Sequence, residues 1–362
     1  MLERIYNFSS GPAVMPEPVL LQAQAELISL NGIGMSVMEI SHRSSEFASV
    51  LASAESGIRE LLGLPQNYRV LFLQGGATLQ FSMIPMNFLP AGGHADFVVT
   101  GVWGEKAVFE AKKLGTANVV LSTKDSGYRS VPAAEDIDLS GDAAYIHYTS
   151  NETIEGVEFK YDLDGRGSPV VCDASSNILS KPIDVSKYDL IYAGAQKNIG
   201  PSGVTVVVVT DEMLERVPEG LPSLLDMRKI ADNDSMVNTP NTWGIYLIDL
   251  VCKWLQQQGG VASMEVVNKA KAAIIYEALD DSDGFYQGHA DIGARSMMNI
   301  TFRLRSEELE RRFCREAAAL GMSGLAGHRS VGGIRASIYN AFPKEGAERL
   351  AQFMQDFARR TA

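Results

Sequence analysis

Cysteine, histidine, tryptophan and positive charge are all scarce in this chain of 362 residues. The three cysteines, Cys172, Cys252 and Cys314, are odd in number, far apart and outside any Cys-x-x-Cys or Cys/His spacing. That pattern excludes a disulfide framework and a structural zinc site, and the three read as core thiols. Lys and Arg number 32 against 44 Asp and Glu, a formal charge of −12. A field of that sign repels nucleic acid and anionic membranes, so neither is expected as a partner. The longest aliphatic run, around Val204 to Val209, is far too short to span a bilayer. Met1 to Pro12 has no apolar h-region, which predicts a cytoplasmic protein. Internal repeats and low-complexity tracts are absent.

What is present is an ordinary globular composition, 46% hydrophobic and 21% charged, in a chain long for one core. Short aliphatic strands (Arg69 to Leu73, Asp96 to Thr100, Ala143 to His147, Val170 to Cys172, Leu190 to Tyr192, Val204 to Val209) punctuate helical patterns. Helices are expected over Pro18 to Ser29, where Leu20, Leu21 and Leu27 form the apolar side, and over Ser45 to Leu62, Leu79 to Phe88, Glu105 to Leu114 and Trp243 to Gln258. The alternation predicts an α/β fold with a mostly parallel sheet covered by helices on both faces. After Gly259-Gly260, helices at Ser263 to Asp280 and Ser306 to Gly321 and strands at Met298 to Leu304 and Ile334 to Tyr339 predict a smaller α+β domain. The expected division is residues 16–258 and 259–362, with residues 1–15 packed on the smaller part.

The chemistry centres on Lys197, in Ala193-Gly-Ala-Gln-Lys-Asn-Ile-Gly-Pro-Ser-Gly203. Surrounded by Ala, Gly and amides, with no evident carboxylate beside it, this amine is expected to be poorly solvated and neutral, the form that attacks carbonyls. Upstream, Pro169-Val-Val-Cys-Asp-Ala-Ser-Ser176 reads as a buried strand delivering Asp173 at its carboxyl end, where α/β sheets keep their ligands. A lysine for a Schiff base and a carboxylate for a pyridinium nitrogen are what pyridoxal phosphate requires. Gln74-Gly-Gly-Ala-Thr78, between a strand and a helix, is the geometry that aims backbone N–H groups at a phosphate. Trp103, between two glycines in a turn, can cover a planar ring. The tripeptide His-Arg-Ser occurs twice, at His42-Arg43 and His328-Arg329, and Arg335 follows the second at a strand entry; these donors suit phosphate or carboxylate.

Asn7-Phe-Ser-Ser-Gly-Pro12, Val37 to Arg43, Gln74 to Thr78, Tyr192 to Pro201 and Gly327 to Ala341 together resemble the phosphoserine aminotransferase family, in order along nearly the whole chain. The resemblance implies the aspartate aminotransferase-like, fold type I architecture and a homodimer with its sites at the subunit interface. It implies pyridoxal 5′-phosphate on Lys197, Asp173 at the pyridine nitrogen, Trp103 on the ring and Thr153 beside the phenolic oxygen. Gln196, Ala77 and Thr78 would hold the cofactor phosphate, joined by Asn238 and Thr239 from the neighbouring subunit. Arg335 would take the substrate α-carboxylate, and His42, Arg43, His328 and Arg329 the distal phosphate or γ-carboxylate. Some family members carry Arg where this chain has Thr78, so one cation is missing from the phosphate cup. The implied reaction joins O-phospho-L-serine and 2-oxoglutarate to 3-phosphohydroxypyruvate and L-glutamate, with 4-phosphohydroxy-L-threonine in pyridoxine synthesis as an additional substrate to be tested. The alternatives are a fold type I lyase and a non-catalytic cofactor-binding relative; retention of both Lys197 and Asp173 counts against the latter.

Overall fold

The β-branched runs of the sequence become a seven-stranded sheet in the computed structural model, which describes residues 4–329 and 331–361. Its strands are β1 (Tyr68–Leu73), β2 (His94–Val99), β3 (Thr116–Ser122), β4 (Ile146–Thr149), β5 (Val170–Asp173), β6 (Leu190–Gly194) and β7 (Thr205–Thr210). They lie in the order β1-β7-β6-β5-β4-β2-β3, all parallel except β7, which runs against both neighbours.

Both faces of this sheet are covered. Val70, Phe72, Val206 and Val208 join one core with Phe47, Val50 and Ile58 of the helix Ser45–Leu62. The alternate residues Leu71, Leu73, Val207 and Val209 join another with Phe81, Met83 and Ile84 of the helix Gly76–Phe88. A strand buried on both sides has no polar face, which is why the stretch from Val206 to Val209 can be all valine and fully buried. Each such side chain contributes roughly 1.5–3 kcal/mol. The helix Ser45–Leu62 starts where the Ser44 side chain accepts from the Phe47 N–H and stops at Gly63, whose φ of 65° reverses the chain.

The C-terminal part has its own three-stranded antiparallel sheet, β8 (Gln287–Gly288), β9 (Asn299–Arg303) and β10 (Ile334–Ser337), in that order. Its core, which includes Ile300, Phe302, Phe313, Ile334 and Phe357, is separate from the two above and also takes in Phe8. Tyr6–Asn7 pairs in parallel with Met322–Ser323, tying the start of the chain to this part; residues 1–3 of the expected N-terminal segment lie outside the described residues.

Several sequence expectations are corrected. The first helix is Glu17–Ala25, and it buries Val19 and Ala23, whereas Leu20, Leu21 and Leu27 are exposed, because the apolar residues do not fall on the side that meets the core. Trp103 belongs to the first turn of a helix, Val102–Ala111, that begins three residues before the expected one. The edge strand β3 and the long C-terminal helix Lys344–Thr361 were not expected at all.

Candidate active site

The carboxyl ends of β4, β5 and β6 converge on one cavity of about 220 Å³. Register explains the convergence: Thr149 of β4 stands opposite Asp173 of β5, and Asp173 opposite Tyr192 of β6. The cavity is lined by Ala77, Thr78, Trp103, Thr153, Asp173, Gln196, Lys197, His328 and Arg335 among the expected residues.

Lys197 Nζ donates to Thr153 Oγ1 at 2.6 Å and lies 5.6 Å from the centre of the Trp103 ring. Burial lowers the Lys197 amine to about 8, while Asp173 and Glu152 pull it upward and Arg335 adds to the lowering. The expectation that no carboxylate bears on this lysine is therefore corrected; in the fold the charges of two, Asp173 and Glu152, reach it. Asp173 is itself buried, and burial raises its carboxyl above the ordinary range against Lys197 and hydrogen bonds from Ser175 and Tyr192. The Ser175 N–H donates to Asp173 Oδ1 at 2.9 Å and fixes the carboxylate plane.

At the other end of the cavity begins the helix Gly76–Phe88, with Gly75 as its N-cap and no side chain capping its first N–H groups. Gly75 and Gly76 have φ of 87° and 69°, the left-handed region that glycine enters without strain. The result is an uncapped helix N-terminus at Ala77 and Thr78, an anion site by geometry. Arg335 comes from β10; its Nη2 donates to Ser10 Oγ at 2.7 Å and its Nε has no hydrogen-bond partner among the described residues. Burial and the positive charges of Arg335, Lys106 and Arg329 all lower His328.

His42, Arg43, Arg329, Asn238 and Thr239 do not line this cavity. His42 and Arg43 precede the helix Ser45–Leu62, and Arg43, Arg329, Asn238 and Thr239 are exposed. The Thr239 carbonyl accepts from Gln74 Nε2 at 3.2 Å. A pocket built by one chain is thus short of these expected donors. Conversely, Ser10, Thr149, Asn151, Ser175 and Ser176 line it without having been singled out, although Ser10, Ser175 and Ser176 stand inside motifs quoted above. Thr149 Oγ1, Asn151 Oδ1 and Trp103 Nε1 are buried with no partner among the described residues.

This arrangement fits a phosphorylated pyridine aldehyde. A low-lying amine, a buried carboxylate, an indole face and an uncapped helix N-terminus all border one cavity. The family model for class-V aminotransferases matches residues 5–350. The chain is 52% identical to a phosphoserine aminotransferase of Geobacillus kaustophilus, over 100% of both chains. It is similar to the solved phosphoserine aminotransferase of Bacillus circulans subsp. alkalophilus, at 49% identity and a TM-score of 0.98 over 99% of each chain. A pyridoxal phosphate-bound phosphoserine aminotransferase of Trichomonas vaginalis matches at 39% identity and a TM-score of 0.91, over 97% of this chain and 100% of that one. The chain belongs to the class-V aminotransferases and, within them, to the phosphoserine aminotransferases. With such relatives, neither the lyase nor the non-catalytic alternative has support. Among the described residues no helix is long and apolar enough to cross a membrane, and no group of His, Cys, Asp and Glu could hold a metal.

Proposed function

We propose that this cavity binds pyridoxal 5′-phosphate and moves the amino group between O-phospho-L-serine and 2-oxoglutarate, giving 3-phosphohydroxypyruvate and L-glutamate in serine biosynthesis. The observation that carries the reading is Lys197, lowered to about 8 and lining the same cavity as Asp173 and Trp103. When bound, the cofactor supplies an electron sink for charge developing at the substrate Cα.

The chain's own residues supply the rest. An amine near 8 is mostly protonated at physiological pH but keeps a far larger neutral fraction than an ordinary lysine, so Lys197 would hold the cofactor through its carbonyl carbon and, when free, would take and return the Cα proton. Asp173 holds the proton on the pyridine nitrogen, and Thr153 serves the phenolic oxygen. Trp103 covers the ring face. Ala77, Thr78 and Gln196 hold the phosphate with backbone N–H groups and neutral side chains, without an Arg at position 78. Arg335, already oriented by Ser10, grips the α-carboxylate. His328 and Arg329, with His42 and Arg43, receive the distal anion.

The assembly is a homodimer in which Asn238 and Thr239 reach the partner's cofactor phosphate. Support comes from exposed apolar residues in the N-terminal region, where Leu21 is 57%, Ile28 81% and Met38 57% exposed in a single chain. The large part, residues 16–258, carries the cofactor, and residues 259–362 form the small part with residues 1–15 against it. The protein works in the cytoplasm. The test is the visible spectrum of freshly purified protein with O-phospho-L-serine as sole substrate. It should change in step with 3-phosphohydroxypyruvate released, one per site, and return on adding 2-oxoglutarate; a spectrum indifferent to phosphoserine contradicts the reading.

A further inference from the structure

Two buried carboxyls flank Thr153 in sequence, and the reaction as described uses neither. Glu152 is fully buried and Glu155 is 4% exposed. Glu152 accepts from the backbone N–H groups of Trp103 at 3.1 Å and Gly104 at 2.9 Å, and Glu155 from that of Val102 at 3.1 Å. The helix that carries Trp103 is therefore capped by another segment, because its own N-cap, Gly101, has no side chain to offer. Gly101 is glycine for a reason of space: a Cβ there would stand 2.4 Å from Glu152 Cδ and 2.6 Å from Glu155 Oε2. Both carboxyls thus press on one carbon-sized volume. Glu155 Oε2 has no hydrogen-bond partner among the described residues.

Two carboxylates side by side out of water repel strongly, and a single proton between them removes the repulsion. We propose that Glu152 and Glu155 hold one proton between them as a positioning pair, fastening the Trp103 helix to the Thr153 segment and keeping a second negative charge away from Lys197. Burial raises both carboxyls, Glu152 further because Glu155 and Asp173 face it. The other groups facing the pair are Lys197 and Tyr192 on the side of Glu152, and Glu105, Tyr128 and Arg335 on the side of Glu155. As pH rises the shared proton leaves, a second negative charge appears near Lys197, and the ammonium form of the lysine is favoured. The inference rests on the aminotransferase reading only for what Lys197 does.

The experiment is isotope-edited infrared spectroscopy of the holoprotein labelled with carboxyl-¹³C glutamate, followed by variants. The remaining buried glutamates among the described residues are ion-paired, Glu158 with Lys160 and Lys181 and Glu310 with Arg303. At neutral pH the wild type should show a carboxylic-acid C=O stretch that shifts with the glutamate label and disappears as the solution is made alkaline. Each of Glu152→Gln and Glu155→Gln should move the alkaline loss of the band to lower pH, because the remaining carboxyl, still raised by burial, no longer faces the second carboxyl of the pair. In the phosphoserine half-reaction Glu155→Ala should lose about tenfold in kcat/KM, and Glu155→Gln should recover most of that, since its amide can donate to Glu152 as the acid does. The absence of a label-sensitive band in the wild type overturns the proposal without need of any variant, as does a band whose alkaline loss is unmoved in both Gln variants or a Glu155→Gln as impaired as Glu155→Ala. A protein with the band, its shifted loss in the variants and no turnover of phosphoserine supports the pair and contradicts the substrate reading instead.

Discussion

Replacing Thr153 by Val removes one hydrogen bond from Lys197 and little volume. The bond is 2.6 Å long, with Nζ as donor, and it acts on an amine that burial has already brought down to about 8. An ammonium donates more strongly than a neutral amine, so the hydroxyl favours the charged form. A hydrogen bond to a charged group is worth about 1.5–3 kcal/mol, and about 1.4 kcal/mol corresponds to one pH unit. Thr153→Val in the cofactor-free protein should therefore move the Lys197 midpoint down by about one to two units. The assay is the rate at which pyridoxal, lacking the phosphate, is fixed to Lys197 by borohydride across a pH series, with the modified peptide identified by mass. The wild-type rate should rise through a midpoint near 8 and the variant's through a lower one. An unchanged or higher midpoint would refute the reasoning, because the hydroxyl would then not be holding the charged amine.

Three further outcomes are expected. Arg43→Ala and Arg329→Ala should each lower kcat/KM for phosphoserine by about ten- to a hundredfold and leave alanine nearly untouched, whereas Arg335→Ala should impair both, measured as half-reaction rates; equal losses for the two substrates in Arg43→Ala and Arg329→Ala would remove those arginines from phosphate recognition. Lys197→Ala and Thr239→Arg, each nearly inactive alone, should regain activity after subunit exchange, since one composite site per mixed dimer collects a good Lys197 and a good Thr239; no recovery after verified exchange means each site is built within one chain. Lys271, fully buried, donates to the carbonyls of Ile338, Tyr339, Asn340 and Phe342 at 3.1, 2.7, 3.4 and 3.2 Å, so Lys271→Met should cost about 2–4 kcal/mol in denaturant unfolding by stranding those acceptors, and a loss under 1 kcal/mol would show that they find other partners.

The parts of this fold that the sequence makes legible are those in which local pattern and tertiary role agree. Val206 to Val209 could only be a strand buried on both faces, and Asp173 follows Val170, Val171 and Cys172 to a strand end. Thr116–Ser122 escaped because at the sheet's edge its aliphatic run is only Val119 to Leu121, and all its residues but Ala117 are exposed or half-buried. The helix Lys344–Thr361 carried a readable stripe, with Leu350, Phe353, Met354 and Phe357 buried at helical spacing, but it lies beyond the last motif. At the site, Lys197, Asp173, Trp103 and Arg335 were legible because each stands in a glycine-flanked or strand-end context. Glu152 and Glu155 were not, since in sequence a glutamate three residues from another looks like a solvated surface. Only their hydrogen bonds to Val102, Trp103 and Gly104, roughly fifty residues away, reveal a buried pair. On the homodimer proposed above, the lack of His42, Arg43 and Thr239 from the cavity has a different origin, since those residues would enter it only from a second copy.

Borohydride reduction of freshly purified protein shows which lysine is joined to the cofactor, and Lys197 is the residue expected. Reduction should fix the chromophore covalently, and peptide mapping should find it on the fragment containing Gln196, Lys197 and Asn198, in an amount close to one per chain. A chromophore fixed to any other lysine, or none retained after reduction, would contradict the account.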